Sequence, residues 1–439
     1  MKGGSDTIFA PATAAGRAAI AVLRLSGPET ASALMRMTGC LPPARRASRV
    51  AVVDPESGER LDDGLALWFP GPKSYTGEDM AELHLHGSRA VLAAAMAALR
   101  RLGLRLAEPG EFTRRAFLSG KLDLLQAEAI ADLAAAETEA QRRQALRQLD
   151  GAQGRLYRGW SERLTRLSAH LEAAIDFPDE DLPGDLEAEI ARETADLAAA
   201  ITAHLADGHR GERLRDGIGV AILGPPNAGK SSLLNRIARR EAAITSPFAG
   251  TTRDVVEVAI DLDGYPVLLA DTAGLRDSAD FVEQEGLRRA LARAEAAELR
   301  LFVFDAARPR DADGAARWPG PETLLVANKI DLLPAPSDLP KGAFAVSALT
   351  GAGIDRLLAT LGEKIAETYR IEAPLLTRAR HRQALEDAAA ALVRSLAAPL
   401  PELRAEDLRL ALRSLGHITG VVGVEDLLDV IFRDFCIGK

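Results

Sequence analysis

Apolar positions along this 439-residue chain change their spacing several times, and the changes divide it into parts. Residues 1–120 carry short apolar runs broken by glycine and proline turns. Strands are expected at 7–9, 18–25 and 65–69, set apart by turns at Ser26-Gly-Pro28 and Pro70-Gly-Pro72. Strict alternation from Met80 to Gly87 puts Glu82, His84 and His86 on one strand face. Such a trio suits a metal ion, but a polar face lining a pocket or meeting solvent is the commoner use. With one alanine-rich helix, this first part reads as an α/β domain.

From Lys121 the spacing becomes helical, and Leu122-Asp-Leu-Leu-Gln-Ala-Glu-Ala-Ile130 opens a stretch rich in good helix formers. It pauses at Asp150-Gly151 and again over 176–184, and a helix is expected over about 186–205. The acidic turn around Asp179 reads as a solvated interhelical loop rather than a cation site. Helical spacing stops at 215 and returns only after Pro374, over 381–397 and 405–415. Between them, residues 216–372 alternate apolar strands with amphipathic helices. The pattern predicts an α/β module inserted into a helical domain, whose two parts are 121–215 and 373–439. Inserted modules enter and leave at neighbouring points.

Composition narrows the function classes. A net charge of -9 argues against nucleic-acid binding by charge alone, though a local basic patch for RNA is compatible with it. Cys40 and Cys436 stand too far apart in sequence to suggest a disulfide framework or zinc cluster. The N-terminus lacks a signal-peptide layout, and no apolar run is long enough for a bilayer. A soluble, cytoplasmic protein with no membrane role is expected.

The chemistry centres on Gly224-Pro-Pro-Asn-Ala-Gly-Lys-Ser231, which follows an apolar run and precedes a helical one. That is the strand, glycine-rich turn and helix order of a phosphate-binding loop. Gly224 and Gly229 allow the turn, and backbone amides at the positive helix end face a polyphosphate. Asn227, Ala228, Gly229, Lys230, Ser231 and Ser232 would line it, with Lys230 reaching the β- and γ-phosphates and Ser231 offering its hydroxyl to magnesium.

Four more motifs follow in the order of a GTPase, all within about 125 residues. Gly250-Thr-Thr-Arg-Asp254 supplies Thr252 as a second magnesium hydroxyl; Ser246, Pro247, Phe248, Ala249, Gly250 and Thr251 precede it along the nucleotide. Asp271, Thr272, Ala273 and Gly274 end an apolar strand, with Asp271 near the metal and the Gly274 amide near the γ-phosphate. Asn328, Lys329 and Asp331 form NKID, where a carboxylate can accept two hydrogen bonds from the N–H edge of guanine. Ser347, Ala348 and Leu349 would close over the base. GTP is therefore favoured over ATP. Leu275 stands where many GTPases carry a glutamine that orients water, so the following segment, with Arg276, Asp277, Asp280, Glu283 and Glu285, is the expected substitute unless it is only a solvated helix start.

Across nearly its whole length the chain resembles the MnmE/TrmE family of tRNA-modification GTPases. The resemblance is carried by Leu415-Gly-His-Ile-Thr-Gly420, Glu425-Asp-Leu-Leu428 and the terminal Ile431-Phe-Arg-Asp-Phe-Cys-Ile-Gly-Lys439. At the other end it rests on Gly16-Arg17, Leu23-Arg-Leu-Ser-Gly27, Tyr75-Thr-Gly-Glu-Asp79 and Gly110-Glu-Phe-Thr-Arg-Arg-Ala-Phe-Leu118. It implies an N-terminal α/β domain that dimerises and binds a tetrahydrofolate one-carbon donor (5-formyl or methylene), a helical domain, and a Ras-like GTPase insert. Arg24, Glu82, Lys121 and Lys439 become the implied folate contacts, with Glu78 close to Glu82. Potassium replaces an arginine finger, held by Asn227 and by the loop containing Ser246, Phe248 and Thr251. Glu283 is implied to orient water through a second water, and Arg276 lies in the same switch. Ser246-Pro-Phe248 is bulkier than this loop usually is, but backbone carbonyls do the ligation. The implied role is a homodimer acting with the flavoprotein MnmG on the wobble uridine of tRNA. Cys436 reads as a small buried residue ahead of a nucleophile.

Two other classes compete. A ribosome-assembly GTPase would use Gly420-Val-Val-Gly423 as an RNA-binding KH loop, but acidic Glu425-Asp426 follows. A membrane-associated mechanical GTPase would need an exposed basic or apolar amphipathic segment, whereas these helices carry mixed charge.

Overall fold

The computed structural model describes residues 6–14, 16–177, 186–241, 257–271, 295–318, 322–333, 339–370, 376–421, 428, 431–432, 435 and 437–438. The chain forms two compact units, Met1–Ala131 with Gly154–Ile190 and Ala397–Lys439, and Asp132–Gln153 with Ala191–Leu396.

The first unit begins with β1 (Ile8–Pro11), β2 (Ala18–Ser26), α1 (Thr30–Thr38), β3 (Ser48–Val53), β4 (Arg60–Phe69), β5 (Met80–Gly87), α2 (Arg89–Arg101), β6 (Arg105–Leu106) and α3 (Glu111–Leu118). Its six strands lie in the order β3-β4-β5-β2-β1-β6, with β1–β6 parallel and the other pairs antiparallel. Alternation sends Leu23, Leu25, Leu83 and Leu85 into a core with Leu34 and Met37 of α1 and Leu99 of α2. Each fully buried leucine there contributes roughly 1.5–3 kcal/mol. The intervening residues, Arg24, Glu82 and His84, are thereby turned to the opposite face, where Ile8, Ala10 and Met80 pack with Phe112 of α3. The serine at position 88 starts α2 by accepting a hydrogen bond from the Val91 amide.

Helices follow: α4 (Leu124–Ala135), α5 (Glu139–Leu149), α6 (Ala152–Asp176), α7 (Leu186–Leu205) and α8 (Arg210–Asp216). α4 begins two residues later than its apolar pattern suggests because Asp123 caps it. The Gln126 amide donates to Asp123 Oδ1 at 2.8 Å, and Gln126 Oε1 accepts from the Asp123 amide at 3.0 Å.

The second unit holds β7 (Ile218–Leu223), α9 (Lys230–Arg240), β8 (Glu257–Leu262), β9 (Tyr265–Asp271), β10 (Leu299–Asp305), β11 (Thr323–Asn328), β12 (Phe344–Ala345) and α10 (Ile354–Tyr369). Their order is β12-β11-β10-β7-β9-β8, parallel except for the β8–β9 hairpin. Strands buried on both faces explain the near-continuous apolar runs. One face packs on Leu233, Leu234 and Ile237 of α9 and Leu357, Leu361 and Ile365 of α10. The other covers Phe302, Phe304 and Ala312. Arg215 Nε, ahead of β7, and Arg378 Nη2, ahead of the next helix, both donate to Asp132 Oδ1, at 3.0 and 2.7 Å. One carboxylate therefore ties the chain where it enters the sheet and after it leaves.

α11 (Ala379–Ala397) and α12 (Pro401–Thr419) follow. The sequence pattern places the second at 405–415. Pro401 at the first turn, where its missing N–H has no helical partner to lose, extends it. The expected turn around Asp179 lies outside the described residues.

Candidate functional site

The loop after β7 has the geometry its composition requires. Gly224 has φ of +139°, and a Cβ on it would stand 1.9 Å from the Val303 carbonyl oxygen, so no other residue fits there unless the backbone moves. Asn227 takes a left-handed φ of 62°, with its side chain exposed. At Gly229, φ is +91° and a Cβ would meet Asn328 Nδ2 at 2.3 Å. Lys230 opens α9, is buried, and donates from Nζ to the carbonyls of Gly224 and Pro225, both at 3.0 Å. Burial pushes its ammonium below the ordinary lysine value, with Asp271 pulling the other way. Its ammonium is thus folded back over the loop, where a phosphate would sit.

Ser231 Oγ donates to Asp271 Oδ2 at 2.5 Å, joining the start of α9 to the end of β9. A hydroxyl at a helix start facing a carboxylate at a strand end is a donor set suited to magnesium. Ser232 follows on the exposed side of α9.

Asn328 is the knot of the segment expected to hold the base. It is 1% exposed, its Nδ2 donates to the Ala228 carbonyl at 2.9 Å, and its Oδ1 accepts from the Ala348 amide at 3.0 Å. It thereby locks the phosphate loop to the Ser347 segment. Ser347 Oγ donates to Asp331 Oδ1 at 2.5 Å and accepts from the Thr350 amide at 3.1 Å, which holds the Asp331 carboxylate in place. Lys329, at φ of 67°, pairs with Asp305 at 2.8 Å, and Leu349 is exposed. So Ala228, Gly229, Lys230, Ser231, Asp271, Asn328, Asp331, Ser347 and Ala348 are joined in one chain of contacts. Ser246, Pro247, Phe248, Ala249, Gly250, Thr251, Thr252, Thr272, Ala273, Gly274, Arg276 and Glu283 lie outside the described residues.

A second cluster stands on the first unit's sheet. Arg24 and Glu82 are cross-strand neighbours on β2 and β5, joined from Nε and Nη2 to Oε1 at 3.1 and 3.0 Å. The guanidinium lies 5.9 Å from the Tyr75 ring centre and 5.8 Å from that of Phe112. Its Nη1 donates to the Gly438 carbonyl at 3.2 Å, so the chain's end reaches this face. Glu82 Oε2 pairs with His84 Nε2 at 3.1 Å, whereas His86 pairs with Asp62. The shared face of Glu82, His84 and His86 is therefore real, with its last member turned to another strand. Lys121 is exposed, with its side chain against Gly77; Lys439 lies outside the described residues. Glu78 is held elsewhere, by Ser26 Oγ at 2.7 Å and Arg115 at 3.1 Å. Tyr75, Phe112 and the Gly438 carbonyl escaped sequence reasoning, although Tyr75, Phe112 and Gly438 stand inside the quoted motifs.

A family profile described as the MnmE helical domain matches residues 124–436, and one described as the GTP-binding protein TrmE N-terminus matches 7–121. The tRNA modification GTPase MnmE of Rhodospirillum rubrum is 59% identical over 452 residues, covering 99% of each chain. The chain belongs to the MnmE/TrmE family. Similar relatives named tRNA modification GTPase MnmE occur in Parvibaculum lavamentivorans, 58% identical over 99% of this chain and 100% of that one, and in Paramagnetospirillum magneticum, 57% identical with the same coverage. The two profiles between them take in Arg24, Glu82, Tyr75 and Phe112 as well as the phosphate loop. Among the described residues, no helix is long and apolar enough to cross a membrane.

Proposed function

We propose that this chain hydrolyses GTP and, as a homodimer with the flavoprotein MnmG, uses that cycle to install an aminomethyl or carboxymethylaminomethyl group at the 5-position of tRNA wobble uridine. The observation that carries the reading is Asn328, which bonds at 2.9 and 3.0 Å to both the phosphate loop and the segment beside the guanine-selective Asp331. Within the reading, Lys230 and the loop amides grip the β- and γ-phosphates, and Asp331 selects guanine. Ser231 and Thr252 would hold magnesium, with Asp271 beside them; Asn227 and the loop of Ser246, Phe248 and Thr251 would hold potassium. Bound there, the two cations supply positive charge to phosphate oxygens as negative charge develops in transfer. Glu283 positions the attacking water and Gly274 donates its amide, with Arg276 in the same switch.

The Arg24 cluster is read as the seat of a tetrahydrofolate one-carbon donor. Glu82, fixed by Arg24 and His84, offers a carboxylate to a pterin N–H edge, while Lys121 and Lys439 offer cations to the folate carboxylates. Bound there, the folate supplies the one-carbon unit. The family membership supports this reading, as does the presence of both clusters in one chain. Nucleoside analysis of tRNA from cells lacking the protein tests it. Loss of the wobble modification is expected, and a normal modification profile would refute it.

A further inference from the structure

The far side of α9 carries three arginines that the nucleotide reading does not use. Arg236, Arg239 and Arg240 stand at i, i+3 and i+4, hence on one helix face. With Thr350, Gly351 and Ile354 they line a cavity of about 290 Å³. At roughly 30 Å³ per water, that is room for about ten waters, enough for two linked phosphates. Among the described residues no aromatic side chain lines it, so none of them offers a stacking surface for a base. The opposing wall is the turn into α10, whose glycine cap, Gly353, leaves the first-turn amides without a side-chain acceptor.

Among the described residues the charges are unbalanced. Arg240 pairs with Asp355 and lies 3.8 Å from Glu241. Among the described residues, Arg236 and Arg239 have no carboxylate within 4.0 Å, and Arg239 is exposed. Arginines in a last turn do favour the helix dipole, which accounts for Arg239 and Arg240 alone. It does not account for Arg236, which reaches across to the Leu349 carbonyl at 2.9 Å and packs where a Cβ on Gly351 would come within 3.1 Å of its Nη2.

We propose that this cavity is a second phosphate site, one that binds vicinal phosphate groups without reading a base. Guanidinium forks match phosphate oxygens: Arg239 is the first contact, and the second group draws Arg236 from the Leu349 carbonyl or Arg240 from Asp355. The groups can belong to a free polyphosphate or to successive links of an RNA backbone. The site also touches the base-binding segment. Arg236 holds the carbonyl of Leu349, the residue after Ala348, and Ala348 is bonded to Asn328. A ligand that draws Arg236 away would loosen that segment, so its binding is coupled to guanine nucleotide, reciprocally. This coupling, unlike the site itself, rests on the guanine reading.

The full-length chain should be titrated calorimetrically with inorganic pyrophosphate, with and without saturating GDP, beside Arg239→Gln and Arg239→Lys. GDP fills the phosphate loop, so pyrophosphate binding that persists reports the second site. One equivalent is expected to bind the GDP-loaded chain. Arg239→Gln should weaken it about tenfold or more, Arg239→Lys less, and GDP affinity should stay within about twofold. A twelve-nucleotide single-stranded RNA gives the second arm. RNA that displaces pyrophosphate and weakens in Arg239→Gln assigns the groups to a backbone; pyrophosphate binding without RNA competition assigns them to a free polyphosphate. Absence of saturable pyrophosphate and RNA binding, or binding unchanged in Arg239→Gln, overturns the site. Failure of GDP to bind sinks the guanine reading instead, and the Arg239 comparison without GDP still decides this one.

Discussion

Replacing Asn328 by alanine separates two loops that the fold holds together. The side chain is 1% exposed and satisfies the Ala228 carbonyl and the Ala348 amide. Each hydrogen bond contributes about 1 kcal/mol net, and a buried group left without a partner costs about 1–3 kcal/mol. Ala228 is 1% exposed and bears the full penalty, while Ala348 is half-buried and water reaches part of it. The sum is roughly 2–4 kcal/mol, localised at the two loops and not spread through the core. If nucleotide binding must restore that order, GTP affinity falls about 30- to 1,000-fold. Asn328→Asp provides the control. It keeps an acceptor for the Ala348 amide, but it loses the donor and sets a carboxylate against the Ala228 carbonyl, so it should bind GTP no better than the alanine variant. Calorimetric titration with GTP, alongside urea unfolding of the same samples, reads both effects. GTP affinity within about threefold of wild type in Asn328→Ala would refute the reasoning.

Hydrolysis should run roughly tenfold or more faster in potassium than in sodium at equal ionic strength, if a cation does the work of an arginine finger; equal rates would remove the role given to Asn227. Deleting Lys439 should weaken 5-formyl-tetrahydrofolate by about 10- to 150-fold, the loss of one charge-assisted contact, and leave GTP affinity alone. Calorimetry showing full folate affinity in the truncated chain contradicts that. Glu111 gives a pH limb. Burial pushes its carboxyl up, but Arg105, the Glu108 amide and Arg115 together hold it below the ordinary value of 4.5. A carboxyl lowered on folding stabilises above its unfolded pKa and loses that contribution as pH falls through the folded one. Urea midpoints should therefore drop below about pH 4.5 in the wild type and drop less in Glu111→Gln.

Elements with a strong period were legible from the residues alone. The alternation of β5 put Glu82, His84 and His86 on one face, as found, and α7 runs over Leu186–Leu205, where its spacing put it. The phosphate loop and NKID were legible because each is local: strand, turn and helix follow one another in sequence. β3, α1 and α3 were not foreseen. α3 buries Arg115, a charge that reads as surface until Glu78 and Asp6 come in from elsewhere to join Glu111 of the same helix in pairing with it. The same holds for the joints of the site. Asn328 reaches Ala228 across 100 residues, and Arg24 reaches Gly438 across 414. Such contacts are fixed by how sheets and units close, and no spacing along the chain encodes them.

Nucleotide selectivity tests the central claim most directly. Affinities for GTP, ATP and XTP should be measured on the wild type and on Asp331→Asn, whose parent carboxylate is held 2.5 Å from Ser347 Oγ. The account predicts that the wild type prefers GTP and that the variant loses GTP while gaining XTP, because the amide presents a donor where xanthine presents an oxygen. Unchanged GTP affinity in Asp331→Asn, or a wild type that binds ATP as well as GTP, would contradict it.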